Sequence, residues 1–291
     1  MTDVSSEPRG ALFVVSTPIG NMADMSRRGI AVLGIVDAIA CEDTRRTGKL
    51  LSLLGIAAPK LIRVDAHTER ERSHALIERL IAGERIALVS DAGTPAVSDP
   101  GARLVSACVD AGVRVVAVPG ASAALSALVS SGLPTDRFTV DGFLPRKGAD
   151  RQRALDEIAS RELTSIIYES PNRTGATLDE LAAVCGRDRH AAVARELTKL
   201  HEEVVRAPLA ELADRFGGDV RGEVVIVIGP AAPAEEASDD DIVSVLVSNA
   251  AAGMTRRTAV DAAVHATGAK KRRVYGLALA VEWPNGDDSA T

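Results

Sequence analysis

The chain has 291 residues, 46% of them hydrophobic and 25% charged, with one Trp, two Tyr, four Phe and a formal net charge of −6. This balance excludes a disordered chain, a protein coated in basic surface and recognition by rows of stacked aromatic rings. At roughly 150 residues per domain the length predicts two domains, or one large domain with an appendage.

In chain order, Asp3 and Glu7 precede a short apolar run, Ala11 to Val15, without the basic and long apolar stretches of a signal peptide. Runs rich in β-branched residues follow at Leu12–Ser16, Ala38–Cys41, Leu61–Val64, Ile86–Ser90 and Arg114–Val118, separated by helical patterns. That alternation predicts an α/β domain with a mostly parallel sheet. Ile86 to Val89 are apolar on both faces, so this strand is expected at the sheet centre, covered on each side. Val115 to Thr135 carry no charge, yet Pro119, Gly120, Gly132 and four serines interrupt them, which predicts a buried loop and helix, not a membrane span. The first domain is expected over 1–134.

From Phe138 the pattern changes. Strands are expected at Phe138–Asp141, Ser165–Tyr168, Ala191–Ala194, Glu202–Ala207 and Val224–Ile228, with helices at Arg151–Ser160 and Thr174–Val184, giving a second α/β or α+β domain over 135–230. The stretch 231–241 is rich in Pro, Ala and acid with no base, and reads as an acidic linker. Beyond it, 242–291 reads as a small helical domain, with helices at about Asp241–Ala251, at Arg256–Ala266 and from Lys270. The Thr-Gly-Ala turn between the last two resembles a helix-turn-helix connection, which is not read here as DNA binding. Between Ile242 and Trp283 the bases Arg256, Arg257, Lys270, Lys271, Arg272 and Arg273 face only Asp261 and Glu282. These six are candidates for RNA phosphate contact, against the alternative of a solvated helical face.

Cys41, Cys108 and Cys185 are odd in number and far apart, and the histidines form no H-x-H or HExxH pattern. Disulfides and a metal site are therefore not expected, and a cytoplasmic setting is. His67 and His74 are given no chemistry.

There is no GxxxxGK[ST] or GxGxxG loop. Three other loops rich in small residues follow predicted strands: Ser16-Thr-Pro-Ile-Gly-Asn21, Ser90-Asp-Ala-Gly-Thr-Pro-Ala-Val-Ser-Asp-Pro-Gly101 and Pro119-Gly-Ala-Ser122. In an open parallel sheet the ligand crevice lies at the carboxyl ends of the strands, where all three fall. Small residues let a polar, adenosine-like or amino-acid group reach the backbone. At the same edge stands Ala40-Cys-Glu-Asp-Thr-Arg-Arg-Thr47, in which Glu42 or Asp43 could accept a proton and Arg45 and Arg46 could grip phosphate. Asp43 or Thr44 serving as a helix cap is the alternative, and both can hold.

At these points the chain resembles the tetrapyrrole methylase superfamily, the class III S-adenosylmethionine-dependent methyltransferases, and most closely its ribosomal RNA small-subunit branch. The resemblance rests on Thr17-Pro-Ile-Gly-Asn, Ala40-x-Glu-Asp-Thr-Arg, Ser90-Asp-Ala-Gly-Thr-Pro, Asp99-Pro-Gly, Val118-Pro-Gly, Ser131-Gly-Leu-Pro, Gly142-Phe-Leu-Pro, Tyr168-Glu-Ser and Ala194-Arg-Glu-Leu-Thr-Lys199, in order. Tetrapyrrole-specific members usually carry G-x-G-x-G and Gly-Asp-Pro loops, which this chain replaces with Thr-Pro-Ile-Gly-Asn and Gly93-Thr94-Pro95. The resemblance thus implies two α/β domains with S-adenosylmethionine folded between them. It implies donor contacts from Pro18, Ile19, Thr94, Val97, Ser122, Ala123, Tyr168, Arg195 and Gly222, and a homodimer. The implied reaction is methylation of the ribose 2′-oxygen of a cytidine in the decoding region of 16S rRNA, with the small ribosomal subunit as partner.

Transfer from a sulfonium is an in-line displacement in which alignment supplies much of the rate, and a ribose hydroxyl needs a base or a nearby cation. Glu42, Asp43, Glu169, Glu196 and Lys199 are the candidates, with Asp43 and Glu42 ahead because they adjoin Arg45 and Arg46. The rival readings are methylation of a tetrapyrrole or diphthamide precursor on the same fold, and a non-catalytic RNA-binding assembly factor.

Overall fold

A computed structural model describes residues 7–65, 68–232 and 237–283. His67, Asp3 and part of the acidic stretch lie outside the described residues.

The first half alternates as its sequence pattern requires: β1 (Ala11–Val15), α1 (Arg27–Leu33), β2 (Ala38–Cys41), α2 (Thr44–Leu53), β3 (Lys60–Arg63), α3 (Glu69–Ile81), β4 (Arg85–Val89), α4 (Ala102–Asp110), β5 (Arg114–Val118) and α5 (Ala123–Ser131). The five strands form a parallel sheet in the order β3-β2-β4-β1-β5, with β4 at its centre. Successive side chains of a strand point to opposite faces, and the core divides accordingly. Phe13, Ile39 and Ala87 face one buried cluster, whereas Leu12, Ala38, Ile86 and Leu88 face the other. Burying each large side chain contributes about 1.5–3 kcal/mol.

The second half runs β6 (Phe138–Phe143), α6 (Ala149–Ser160), β7 (Thr164–Glu169), α7 (Thr174–Cys185), β8 (His190–Arg195), β9 (Glu203–Pro208), α8 (Leu209–Phe216) and β10 (Val224–Ile228). Its sheet has the order β6-β7-β10-β8-β9, with β6 parallel to β7 and the other pairs antiparallel. The all-apolar β10, Val-Val-Ile-Val-Ile, is completely buried at the centre. Of the two expectations for this half, mixed strand pairing is the outcome, because β8 and β9 are joined by a short turn that only an antiparallel pair can use.

One helix ties the halves together. Ala124, Ala127 and Leu128 of α5 pack on Ile166, Ala192, Ala194, Val225 and Val227 of the second sheet. A boundary at residue 134 therefore separates α5 from the core it builds, and residues 1–231 form a single compact unit.

The remaining unit, 232–291, contains α9 (Asp239–Ala251), α10 (Arg256–Thr267) and α11 (Lys271–Ala278). They close on Ile242, Leu246, Val260, Ala263, Val274 and Ala278. Gly268 ends α10 in the left-handed conformation at φ 67°, where glycine is favoured. The acidic stretch is shorter than its composition suggests. Asp239 to Asp241 are already helical, because Ser238 and Asp241 form a reciprocal capping box and acids suit the positive end of the helix dipole.

Candidate functional site

The order β4-β1-β5 sets the three small-residue loops side by side at the carboxyl edge of the first sheet. Thr17 and Gly93 bridge through their backbones, the Thr17 N–H donating to Gly93 O at 2.9 Å and the Gly93 N–H to Thr17 O at 3.1 Å. Thr94 Oγ1 donates to Ala121 O at 3.1 Å and lies 3.0 Å from Ser16 Oγ, which closes the set. The β4–α4 loop is fixed from outside by Glu69, only 5% exposed, whose Oε1 accepts from the Gly101 and Leu104 N–H groups at 3.0 Å each. Within that loop Ala96 and Ser98 hold positive φ, 68° and 60°, a conformation that non-glycine residues adopt only when neighbours enforce it.

Facing these loops are the ends of β6, β7 and β10. At a bulge in β6, Gly142 (φ 71°) lets the strand pass close to Ser98, where a Cβ would meet Ser98 Oγ at 2.9 Å. The space between the two sets is a cavity of about 330 Å3. It is walled by Ile19, Thr94, Val97, Ser122 and Ala123 on one side and Tyr168 and Gly222 on the other. These are residues the sequence reading assigns to the donor. Phe143 and Tyr168 meet there with their ring planes tilted by 41° and centroids 5.5 Å apart.

Two assigned residues lie elsewhere. Pro18 turns to a smaller hollow with Arg46 and Asp91. Arg195 points to a separate pocket with Arg215 and Arg221, its Nε donating to Glu203 Oε2 at 2.6 Å. Strand alternation explains this: Ala194, next to it on β8, is buried in the core that α5 covers, so Arg195 faces the other side.

Among the described residues the cavity wall contains three acids, Asp99, Glu169 and Glu223, and no Lys, Arg or His. Glu169 is spoken for: Oε2 accepts from Thr177 Oγ1 at 2.7 Å and Oε1 from the Ser170 N–H at 2.7 Å, and its side chain is 2% exposed. Glu223 bonds to Lys199 Nζ at 3.0 Å. Asp99 has no cationic partner among the described residues. Burial pushes its carboxyl above the usual range, with Asp91 adding repulsion and a Ser90 hydrogen bond acting against it. Sequence reasoning did not single it out, although its loop was named.

The proton-acceptor candidates separate clearly. Asp43 caps α2 and is gripped by Arg45, whose Nη2 lies 2.9 Å from Oδ2 and whose backbone N–H donates to Oδ1 at 2.8 Å. This holds the Asp43 carboxyl at about 2, a weak base. Glu42 moves the other way, raised by burial and by the Asp91 and Asp99 carboxylates. Lys199 is partly buried, which works against its charge, yet hydrogen bonds to Glu196 and Glu223 prevail and keep it protonated. Glu196, lowered by that same lysine, stays ionised. Lys199 also packs against Gly20 of the first loop, where any Cβ would strike it.

Of the proposed RNA contacts, Arg45 and Arg46 are exposed beside the first sheet, and Arg46 Nη1 lies 3.1 Å from Asp91 Oδ2. In the helical unit, Arg256 and Arg257 open α10 and Lys270 to Arg273 open α11. Lys271 pairs with Asp261 at 2.6 Å and Arg273 with Asp239 at 2.7 Å, while Arg257, Lys270 and Arg272 are exposed. His74 is a surface residue 3.5 Å from Glu78.

Residues 11–213 match the family of tetrapyrrole (corrin/porphyrin) methylases. A protein of Synechocystis described as ribosomal RNA small subunit methyltransferase I is 44% identical over 276 residues, covering 94% of this chain and 99% of its own. One of the same description from Escherichia coli O157:H7 is 42% identical over 275 residues, covering 93% and 95%. The crystal structure of uroporphyrin-III C-methyl transferase from Thermus thermophilus complexed with S-adenyl homocysteine superposes with a TM-score of 0.54 at 21% identity, covering 75% of this chain and 97% of that one. Fold, site loops and relatives agree: the chain belongs to the tetrapyrrole methylase family, alongside the ribosomal RNA small subunit methyltransferases I.

Proposed function

We propose that the chain transfers a methyl group from S-adenosylmethionine to the ribose 2′-oxygen of a cytidine in the decoding region of 16S rRNA, in the cytoplasm and as a homodimer. The names of its relatives support a small-subunit rRNA substrate, and the fold neighbour that holds S-adenyl homocysteine supports the donor. The observation that carries the reading is the cavity itself. Its acid-bearing, cation-free wall suits a ligand with a sulfonium and an ammonium, while Ile19, Val97, Tyr168 and Val225 suit an apolar ring. Its volume falls within the roughly 300–1,000 Å3 of ordinary small-molecule pockets.

Bound there, the donor supplies an electrophilic methyl group. Ile19, Thr94, Val97, Ser122, Ala123, Tyr168 and Gly222 hold it, and the chain's remaining task is to place and deprotonate the ribose hydroxyl. Asp99 is the proton acceptor in this reading, because it lines the cavity, lacks a cationic partner among the described residues and holds a proton more readily than an exposed carboxylate. Glu42, itself raised by burial and by the Asp91 and Asp99 carboxylates, is its neighbour in this acid cluster; Asp43 is structural. Arg45 and Arg46 at the sheet edge and the bases of residues 242–291 hold RNA phosphates.

The test is transfer of a labelled methyl group from S-adenosylmethionine to small ribosomal subunits lacking the modification, followed by nuclease digestion. Label on a cytidine 2′-oxygen is expected. Donor binding with no transfer to subunits or naked rRNA, but with transfer to a tetrapyrrole or diphthamide precursor, overturns the substrate. Binding of RNA without any transfer leaves the assembly-factor reading in its place.

A further inference from the structure

The sequence has two tyrosines, and the donor cavity uses one of them, Tyr168. The other, Tyr275, sits on α11 with half of its surface exposed, although the tail's core is made from residues of the same helix, Val274 and Ala278. Leu279 follows four positions later and is 59% exposed. Lys271 and Arg272, both exposed, precede Tyr275 by four and three positions. Residues at these spacings lie along one side of a helix. A single exposed apolar side chain is ordinary on a protein surface; here an aromatic ring and a leucine share one side of a helix with cations.

The start of α11 makes the same point from electrostatics. Lys270 to Arg273 occupy the positive end of the helix dipole, and no side chain caps that end. Two helices earlier, α9 begins with the opposite arrangement, Asp239 to Asp241 and a capping box. Acids of the same unit answer two of these cations, Asp261 pairing with Lys271 and Asp239 with Arg273, while Lys270 and Arg272 stay exposed at the positive end of the dipole. Clustered cations next to an exposed ring suit a nucleic acid whose phosphates meet the charges and whose base meets the ring. A ring standing out from a helix cannot reach the face of a base that is already stacked in a duplex, so the nucleotide must be unpaired.

We propose that the outer side of α11 is a stacking site for an unpaired RNA nucleotide, with Tyr275 and Leu279 against the base and Lys270 and Arg272 on the flanking phosphates. The proposal rests on the rRNA reading above and adds to it a preference for unpaired over duplex RNA. It is tested with the full chain and two probes, a decoding-region fragment carrying an unpaired loop and a fully paired duplex of equal length. Tyr275→Ala and Tyr275→Leu weaken loop binding about 10-fold or more and leave duplex binding unchanged, and Tyr275→Phe binds as the parent does. Arg272→Ala reduces the salt slope by about one on both probes. Unchanged helical circular dichroism in each variant, with the parent's thermal unfolding profile, verifies an intact fold. If the parent binds the loop and Tyr275→Ala binds it equally well, or if loop and duplex binding fall together, the stacking site is refuted while the rRNA reading stands. If the parent binds neither RNA, both fail.

Discussion

At the strand ends of the first sheet, burial and neighbouring acids push Glu42 and Asp99 above the usual carboxylate range. Across the cavity, Lys199 pulls Glu196 and Arg195 pulls Glu203 below it. Glu42 and Asp99 of the first half therefore bind a proton readily, whereas Glu196 and Glu203 of the second, like Asp43 beside Arg45, are locked into ion pairs. The contrast follows from topology. Parallel strands bring several loops with few cations to one edge, whereas the β8–β9 hairpin sets Arg195 directly opposite Glu203. In the proposed mechanism, proton transfer belongs to the first half and fixed geometry to the second.

The largest effect is expected where that division is broken at Asp99. Asp99→Asn removes the acceptor and lowers kcat about 100-fold or more, within the range for general bases. Because the folded-state carboxyl is raised, its ionised form opposes folding above its ordinary value of 3.8, and the neutral amide relieves this. The variant is therefore at least as heat-stable as the parent at pH 7 while nearly inactive. The acid limb of the parent's rate profile, set above ordinary carboxylate values, disappears with it. A variant that keeps its rate, or loses rate and stability together, removes Asp99 from the chemistry.

Next comes the residue that fixes the Asp99 loop without touching the cavity. Glu69→Ala leaves the Gly101 and Leu104 N–H groups unsatisfied in a buried setting, an expected loss of about 2–3 kcal/mol with reduced kcat. Glu69→Gln, which retains an acceptor, recovers most of both. On the paired side, Gly222→Ala places a Cβ into the Glu196 side chain at a φ of 88° and costs about 1–2 kcal/mol. Its distinguishing readout is a rise in the S-adenosylmethionine Kd exceeding the fall in kcat, because the Glu196–Lys199–Glu223 set shapes the wall and moves no proton.

How much of this was legible depended on whether a feature is local. The strands were, since β-branched runs with flanking turns declare themselves, and β4 announced its central place by being apolar on both faces. The small-residue loops that wall the cavity were legible for the same reason, as they end those strands. Glu69 was not, because its partners lie 32 and 35 residues away and only tertiary packing joins them. Nor was Asp99, one acid among many until the opposing sheet encloses it. The helix start at Ser238 did carry a local signal, Ser-x-x-Asp, which the acid-rich composition around it obscured.

The smallest effect is the one that separates neighbours. Glu42 and Asp43 are adjacent in the chain and were joint favourites, yet one leans toward the acid cluster and the other is held by Arg45. Asp43→Ala loses a helix cap and an exposed ion pair, so a small drop in Tm and an activity within about threefold of the parent are expected. The sign of its pH dependence is fixed by the lowered value. Stability from this group is complete above the ordinary 3.8 and is lost as pH falls through about 2. At neutral pH the acid limb of catalysis stays where Asp99 puts it. A shift of that limb in Asp43→Ala, with Asp99 intact, moves the proton acceptor from Asp99 to Asp43 within the first half.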